Sequence, residues 1–141
     1  GSRYTYTDST VELLRGLGTT AVTIVGGPNS VNDSLISDSY DNGMTATRIA
    51  GASRYETSEA INAASFAAPT ERVFLASGTG FADALAGDAV AARFGAPLYV
   101  VPPECVSRSL QLALERLGTE HVTLVGGEAS LSPAVAKLKR C

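Results

Sequence analysis

The chain has 141 residues, 45% of them apolar and 18% charged, with a formal net charge of −3. That is one domain by length, enough to bury roughly 70% of its unfolded surface, and the apolar content excludes a disordered chain. The acidic balance argues against a nucleic-acid partner and an anionic membrane surface, and no run of about 18 apolar residues is present to insert into a membrane.

Gly1-Ser2 reads as a cloning scar, and no signal peptide is visible. Ser9 to Leu17 is expected to be helical, with Ser9-x-x-Glu12 as a capping box. Ala21 to Val25 follows as a buried strand, then a helix from Ser30 to Ser39 with Asp33 in its first turn. Ala46 to Ala50 is a short strand, and Ser53 to Ala64 a helix opened by a second capping box, Ser53-x-x-Glu56. Arg72 to Ala76 is a strand, Phe81 to Phe94 a helix ended by Gly95, and Leu98 to Val101 a strand stopped by Pro102-Pro103. Val106 to Leu117 is a helix, His121 to Val125 the fifth strand, and Pro133 to Lys139 the last helix behind Ser132. Short, continuously apolar strands alternating with helices predict an α/β fold: one mostly parallel five-stranded sheet with helices on both faces, in three layers.

The chain repeats itself. Leu17-Gly18-Thr19, Val22 to Gly27 and Ser30 recur a hundred residues later as Leu117-Gly118-Thr119, Val122 to Gly127 and Ser130. A period that long means whole modules. Residues 1–141 read as a single domain, with residues 1–45 open to a second reading as the tail of a preceding repeat unit.

Two cysteines, Cys105 and Cys141, accompany a single histidine, His121, with no Cys-x-x-Cys pair. No metal site and no cofactor are therefore expected. The pair reads either as a disulfide tacking down the last helix, which goes with an extracytoplasmic location, or as two free thiols.

In an open parallel sheet ligands bind at the carboxyl edge. The stretch there is Ser77-Gly78-Thr79-Gly80-Phe81-Ala82-Asp83, a strand end, a glycine turn and a helix start. Together with Arg48 to Thr57, Gly95 to Val100 and Val122 to Gly127, it resembles the type 2 cell-wall-binding repeat of Gram-positive surface proteins. The resemblance covers most of the chain from about Gly16. It implies an α/β module without catalytic activity that anchors a secreted protein, such as an S-layer protein, to wall polysaccharide. It also implies tandem copies packed in a ring-like trimer, and an extracellular, wall-associated location. Pro97-Leu98-Tyr99-Val100 matches the family's Pro-Ile-Leu-Leu element, tied to polymer anchoring.

The residues expected to bind polysaccharide or to form a module interface are Arg54, Tyr55, Thr57, Ser77, Thr79, Phe81, Asp83 and Pro97. Arg54 opens a capped helix, where the dipole disfavours a cation; it reads as a partner for an anion or for Asp83. Phe81 is expected to pack inward. Gly26-Gly27 and Gly126-Gly127 lack both the G-x-G-x-x-G spacing and the Walker lysine, so they read as turns. Ser77 lies outside a G-x-S-x-G elbow and His121 starts a strand at the opposite edge, which argues against a triad. The alanine-rich helix after Asp83 reads either as close helix-on-sheet packing or as an interface. The alternatives to wall anchoring are a scaffold acting through protein–protein packing and a small α/β enzyme on a phosphorylated ligand.

Overall fold

The structure is a computed structural model that describes residues 5–141, so Gly1-Ser2 lie outside the described residues. Among the described residues there are six helices and five strands, all strand pairs being parallel. It divides into two compact units, Gly1–Ala52 and Ser53–Cys141.

The first unit contains α1 (Asp8–Gly16), β1 (Ala21–Val25), α2 (Ser34–Asp41) and β2 (Thr45–Ile49). The helix α1 is capped by Thr7, whose hydroxyl accepts from the Thr10 amide, and not by the expected Ser9–Glu12 box. Starting the helix one residue earlier places Ser9 inside the first turn, where it cannot cap. The helix α2 also starts later than expected, because Gly27 to Val31 form a turn closed by Ser30 and Val31 amides donating to the Gly27 carbonyl. Asp33 consequently precedes the helix and pairs with Arg48 at 2.9 Å. Arg48 also donates to the Gly26 carbonyl, so one guanidinium ties β2 to the turn after β1.

The second unit contains α3 (Arg54–Ser65), β3 (Arg72–Ser77), α4 (Phe81–Arg93), β4 (Leu98–Val101), α5 (Arg108–Leu117), β5 (His121–Val125) and α6 (Pro133–Ala136). Its sheet runs β4-β3-β5, while β1 and β2 form a separate two-stranded sheet. The single five-stranded sheet expected from the alternation is therefore not formed. A run of apolar residues reports that a strand is buried but not which strand it pairs with. Most of β1 is in fact exposed or half-exposed, with Ile24 alone buried.

Alternate residues of β3 supply two cores, as the two-residue period of a strand requires. Val73 and Leu75 join Tyr99, Val101, Leu110, Leu114, Leu131 and Val135 on one side. Phe74 joins Ala91 and Ala96 on the other, with Leu98 and Val125 packed against them. The helix α4 approaches the sheet through Gly87, where a Cβ would lie 2.9 Å from Leu98 Cδ1 and 3.0 Å from both Val125 methyls. Gly87 and Ala91 are four apart and thus on one face; they are the buried residues of α4. Close helix-on-sheet packing accounts for that face.

Along the outer edge of β4, α3 replaces a missing strand with side chains. Ser58 Oγ accepts from the Val100 amide at 3.1 Å, and Asn62 Nδ2 donates to the Leu98 carbonyl at 2.8 Å. Both side chains are buried, which is affordable only because each is bonded. At the other end of the unit the Cys105–Cys141 disulfide closes a 36-residue separation. The Val106 amide donates to the Lys139 carbonyl and the Cys141 amide to that of Val106, so the tail is sewn beside the start of α5.

Asn62→Leu leaves the Leu98 carbonyl without its donor and is expected to cost about 1–3 kcal/mol, read as a lower urea midpoint at unchanged slope. Reduction of Cys105–Cys141 releases about 3–4 kcal/mol of loop constraint and should lower the melting temperature by on the order of 10 °C; an unchanged melt with two titratable thiols would contradict this.

Candidate functional site

The capping box at the head of α3 forms as expected: Ser53 Oγ accepts from the Glu56 amide at 3.3 Å, and Glu56 Oε2 accepts from the Ser53 amide at 3.1 Å. It aims the next two side chains at the turn after β3. Arg54 Nη1 donates to the Gly78 carbonyl at 2.6 Å. The Tyr55 ring lies so close to Gly78 that a Cβ there would stand 3.2 Å from Cδ1 and closer still to Cε1. Gly78 is thus held between a guanidinium and an aromatic ring. Arg54 faces a carbonyl and not the Asp83 carboxylate expected as its partner, since the turn's own backbone supplies an acceptor first.

Thr57 is half-buried one turn into α3, its amide donating to the Ser53 carbonyl at 2.9 Å. Ser77 is buried, and its hydroxyl shares a 2.9 Å hydrogen bond with that of Thr79, which is exposed. His121 pairs with Arg72 in register, at the opposite end of β3 from Ser77. Five residues of strand at about 3.3 Å each separate the two, so they form no couple. Asp83 is the acid of the first turn of α4, and its carboxylate lies against Gly126, where a Cβ would stand 2.7 Å from Oδ2. Gly126 has φ of +118°, matching Gly26 at +108°, so both glycine pairs begin with a turn only glycine adopts easily. Pro97, just before β4, is fully buried, and Tyr99 within the strand is 1% exposed.

Phe81 overturns its expectation. It is 79% exposed, and Leu85, Val90 and Phe94 on the same helix are also exposed. The Gly87–Ala91 stripe is what enters the core, and Phe81, at the helix's first position, is left on the surface.

A concave surface escaped the motif reading. The helices α3 and α5 frame a groove of about 440 Å³ lined by Glu56, Glu59, Ala60, Ala63, Leu112 and Arg116. It continues into a recess of about 170 Å³ at the end of β4, where Tyr55, Pro102 and Ser107 join Glu56 and Glu59. Glu59 accepts from the Ser107 hydroxyl at 2.5 Å, and Ser107 also caps α5 by accepting from the Leu110 amide. Beneath the groove, burial pushes the Tyr99 phenol above its usual 10.0, with Arg116 pulling it down and Glu59 adding to the rise. Its residues are scattered over two helices, and only their i, i+3, i+4 spacing could have hinted at a shared face.

At the amino edge, Glu71, Glu120 and His121 hold ligand atoms within 4.8 Å of one another, all three exposed, and Glu71 pairs with His121 at 3.5 Å. Among the described residues no helix is long and apolar enough to cross a membrane.

The profile of the cell wall binding domain 2 (CWB2) family matches residues 48–136. The solved structure of Cwp8 from Clostridium difficile is similar, with a TM-score of 0.77 and 30% identity over 91% of this chain and 22% of its own. Cwp6 from the same organism gives 0.85 and 25% identity over 98% of this chain and 23% of its own. The N-acetylmuramoyl-L-alanine amidase LytC of Bacillus subtilis is 29% identical over 86% of this chain and 24% of its own length. The chain therefore spans about a quarter of these proteins.

Gly78→Ala should destabilise the second unit by about 1–3 kcal/mol through overpacking on Tyr55. In a Tyr55→Ala background the same change should cost less than half as much in a double-mutant cycle; an equal cost in both backgrounds would place the strain elsewhere. The motifs that form this clasp lie inside the matched segment, and the chain belongs to the cell wall binding domain 2 family.

Proposed function

We infer that the chain is a non-catalytic module that attaches a secreted protein to cell-wall polysaccharide in an extracellular, wall-associated setting, and that the polymer lies in the groove between α3 and α5. The groove itself carries this reading. It is open and mixed in character. Glu59, Ser109 and Arg116 offer acceptors and donors for sugar hydroxyls, while Ala60, Ala63 and Leu112 give an apolar strip for the C–H faces of the rings. Tyr55 borders the recess at one end, so of the motif residues it is the one placed to touch the polymer, and Arg54 acts by holding Tyr55's neighbour Gly78.

Contacts to single sugars are weak in water, so retention on a polymer would come from several modules acting together. Membership of the cell wall binding domain 2 family supports the wall setting. A second reading, assembly through protein–protein packing, has its own observation: Phe81 and Leu85, four apart on one face of α4, are 79% and 58% exposed. Such an apolar helix face marks an interaction surface, and a copy of the same module is its proposed partner.

The two surfaces separate by experiment. Ala63→Arg and Leu112→Glu should each reduce retention on purified walls about tenfold at an unchanged melting temperature, and extraction of the wall polysaccharide should abolish retention of the parent chain. Phe81→Ser should lower self-association and leave retention by an isolated module as it was. Full retention by both groove variants would move the site off the groove.

A further inference from the structure

The two outer edges of the β4-β3-β5 sheet are finished differently. The β4 edge is closed by the side chains of Ser58 and Asn62. The β5 edge has no strand beside it among the described residues. Open edges of that kind are templates for strand addition.

We propose that the outer edge of β5 receives the β2 strand, Thr45–Ile49, of a second copy of this module, added in parallel. The internal repeat carries the inference. The strands β1 and β5 are the same segment a hundred residues apart, Ala-Val-Thr-Ile-Val-Gly-Gly and His-Val-Thr-Leu-Val-Gly-Gly. In β1 the even-numbered residues face β2: Thr45 donates to the Thr20 carbonyl and Gly26 donates to the Ile49 carbonyl, both at 2.9 Å. In β5 the His121 amide donates to the Glu71 carbonyl of the segment entering β3, so the odd-numbered residues face β3. Backbone groups alternate sides along a strand. Val122, Leu124 and Gly126 therefore point away from β3, at the edge that Val22, Ile24 and Gly26 use to hold β2. The repeat has one edge built for a β3-type neighbour and one for a β2-type neighbour, and in β5 the second is open.

Charge complementarity points the same way. Within the first unit the Arg48 guanidinium of β2 reaches the Gly26 carbonyl and the Asp33 carboxylate. The position equivalent to Asp33 is Pro133, yet an acid is still present, because the Asp83 carboxylate lies against Gly126. No ion pair engages Asp83 among the described residues. An incoming Arg48 meets a glycine carbonyl and an aspartate, as it does in its own unit. The register carried over from β1 pairs Thr123 with Thr47 and Leu124 with Arg48. The inference stands apart from whatever the α3–α5 groove holds.

The test titrates the full, isotope-labelled chain with a synthetic peptide of residues 43–53. The amides of Val122, Leu124 and Gly126 are expected to shift and to gain protection from exchange. Methylating the peptide nitrogens of Thr47 and Ile49, which face β5, removes two hydrogen bonds and should weaken binding about tenfold or more. Methylating those of Ala46 and Arg48, which face away, should leave affinity nearly unchanged. The peptide should also bind an Asp83→Lys chain about tenfold more weakly, and an Arg48→Glu peptide should recover that loss. Equal losses from both methylation patterns, shifts confined to other residues, or no shift at millimolar peptide would each overturn the proposal. The methylation arm needs no variant protein, so a poorly folded Asp83→Lys chain does not remove the test.

Discussion

The second unit depends on how closely α3 approaches the turn after β3, and that approach rests on Gly78. Its carbonyl takes the Arg54 guanidinium, and its bare Cα lies under the Tyr55 ring. A charge-assisted hydrogen bond and an aromatic contact on either side of one residue fix the start of the helix to the end of a strand. Because the start of α3 is fixed, the helix runs beside β4, where Ser58 and Asn62 meet the Val100 amide and the Leu98 carbonyl. Because α3 lies there, Glu59 meets Ser107 at the head of α5, and the two helices frame a groove. Each contact sets the position of the next.

The polar groups of this unit are largely committed to backbone. Arg54, Ser58 and Asn62 all bond main-chain atoms, and the Ser77 hydroxyl bonds Thr79 and its amide. These residues are committed to holding α3, β3 and β4 in place, and the groove between α3 and α5 lies beside them. The first unit repeats the device with different parts: Arg48 holds the carbonyl of Gly26 as Arg54 holds that of Gly78.

Much was legible in the chain itself. The Ser53–Glu56 box, the helix after Gly80 and the five strands depend on local chemistry, and all lie within one residue of where spacing puts them. The cysteines allowed one pairing, and it is formed. Where reading failed, a distant neighbour decided the outcome. Asp33 stands where a first-turn helix acid is expected, but Arg48 claims it from 15 residues away. Phe81 is expected in the core, but Gly87 and Ala91 bring α4 so near the sheet on another face that Phe81 is left in solvent. Ser58 and Asn62 look like ordinary helix polars until a strand edge arrives opposite them.

By itself, then, the sequence determined which segments are helix and strand, that two of them are copies of one another, and which motifs belong to the family. Those properties follow from period, capping and identity of neighbours along the chain. Only the tertiary structure decided that the strands divide between two sheets, that the motif arginine and tyrosine close on Gly78, and that α3 and α5 leave a groove between them. Strand pairing and helix docking are settled by contacts between residues tens of positions apart. An apolar run carries the energy for such contacts without naming its partner.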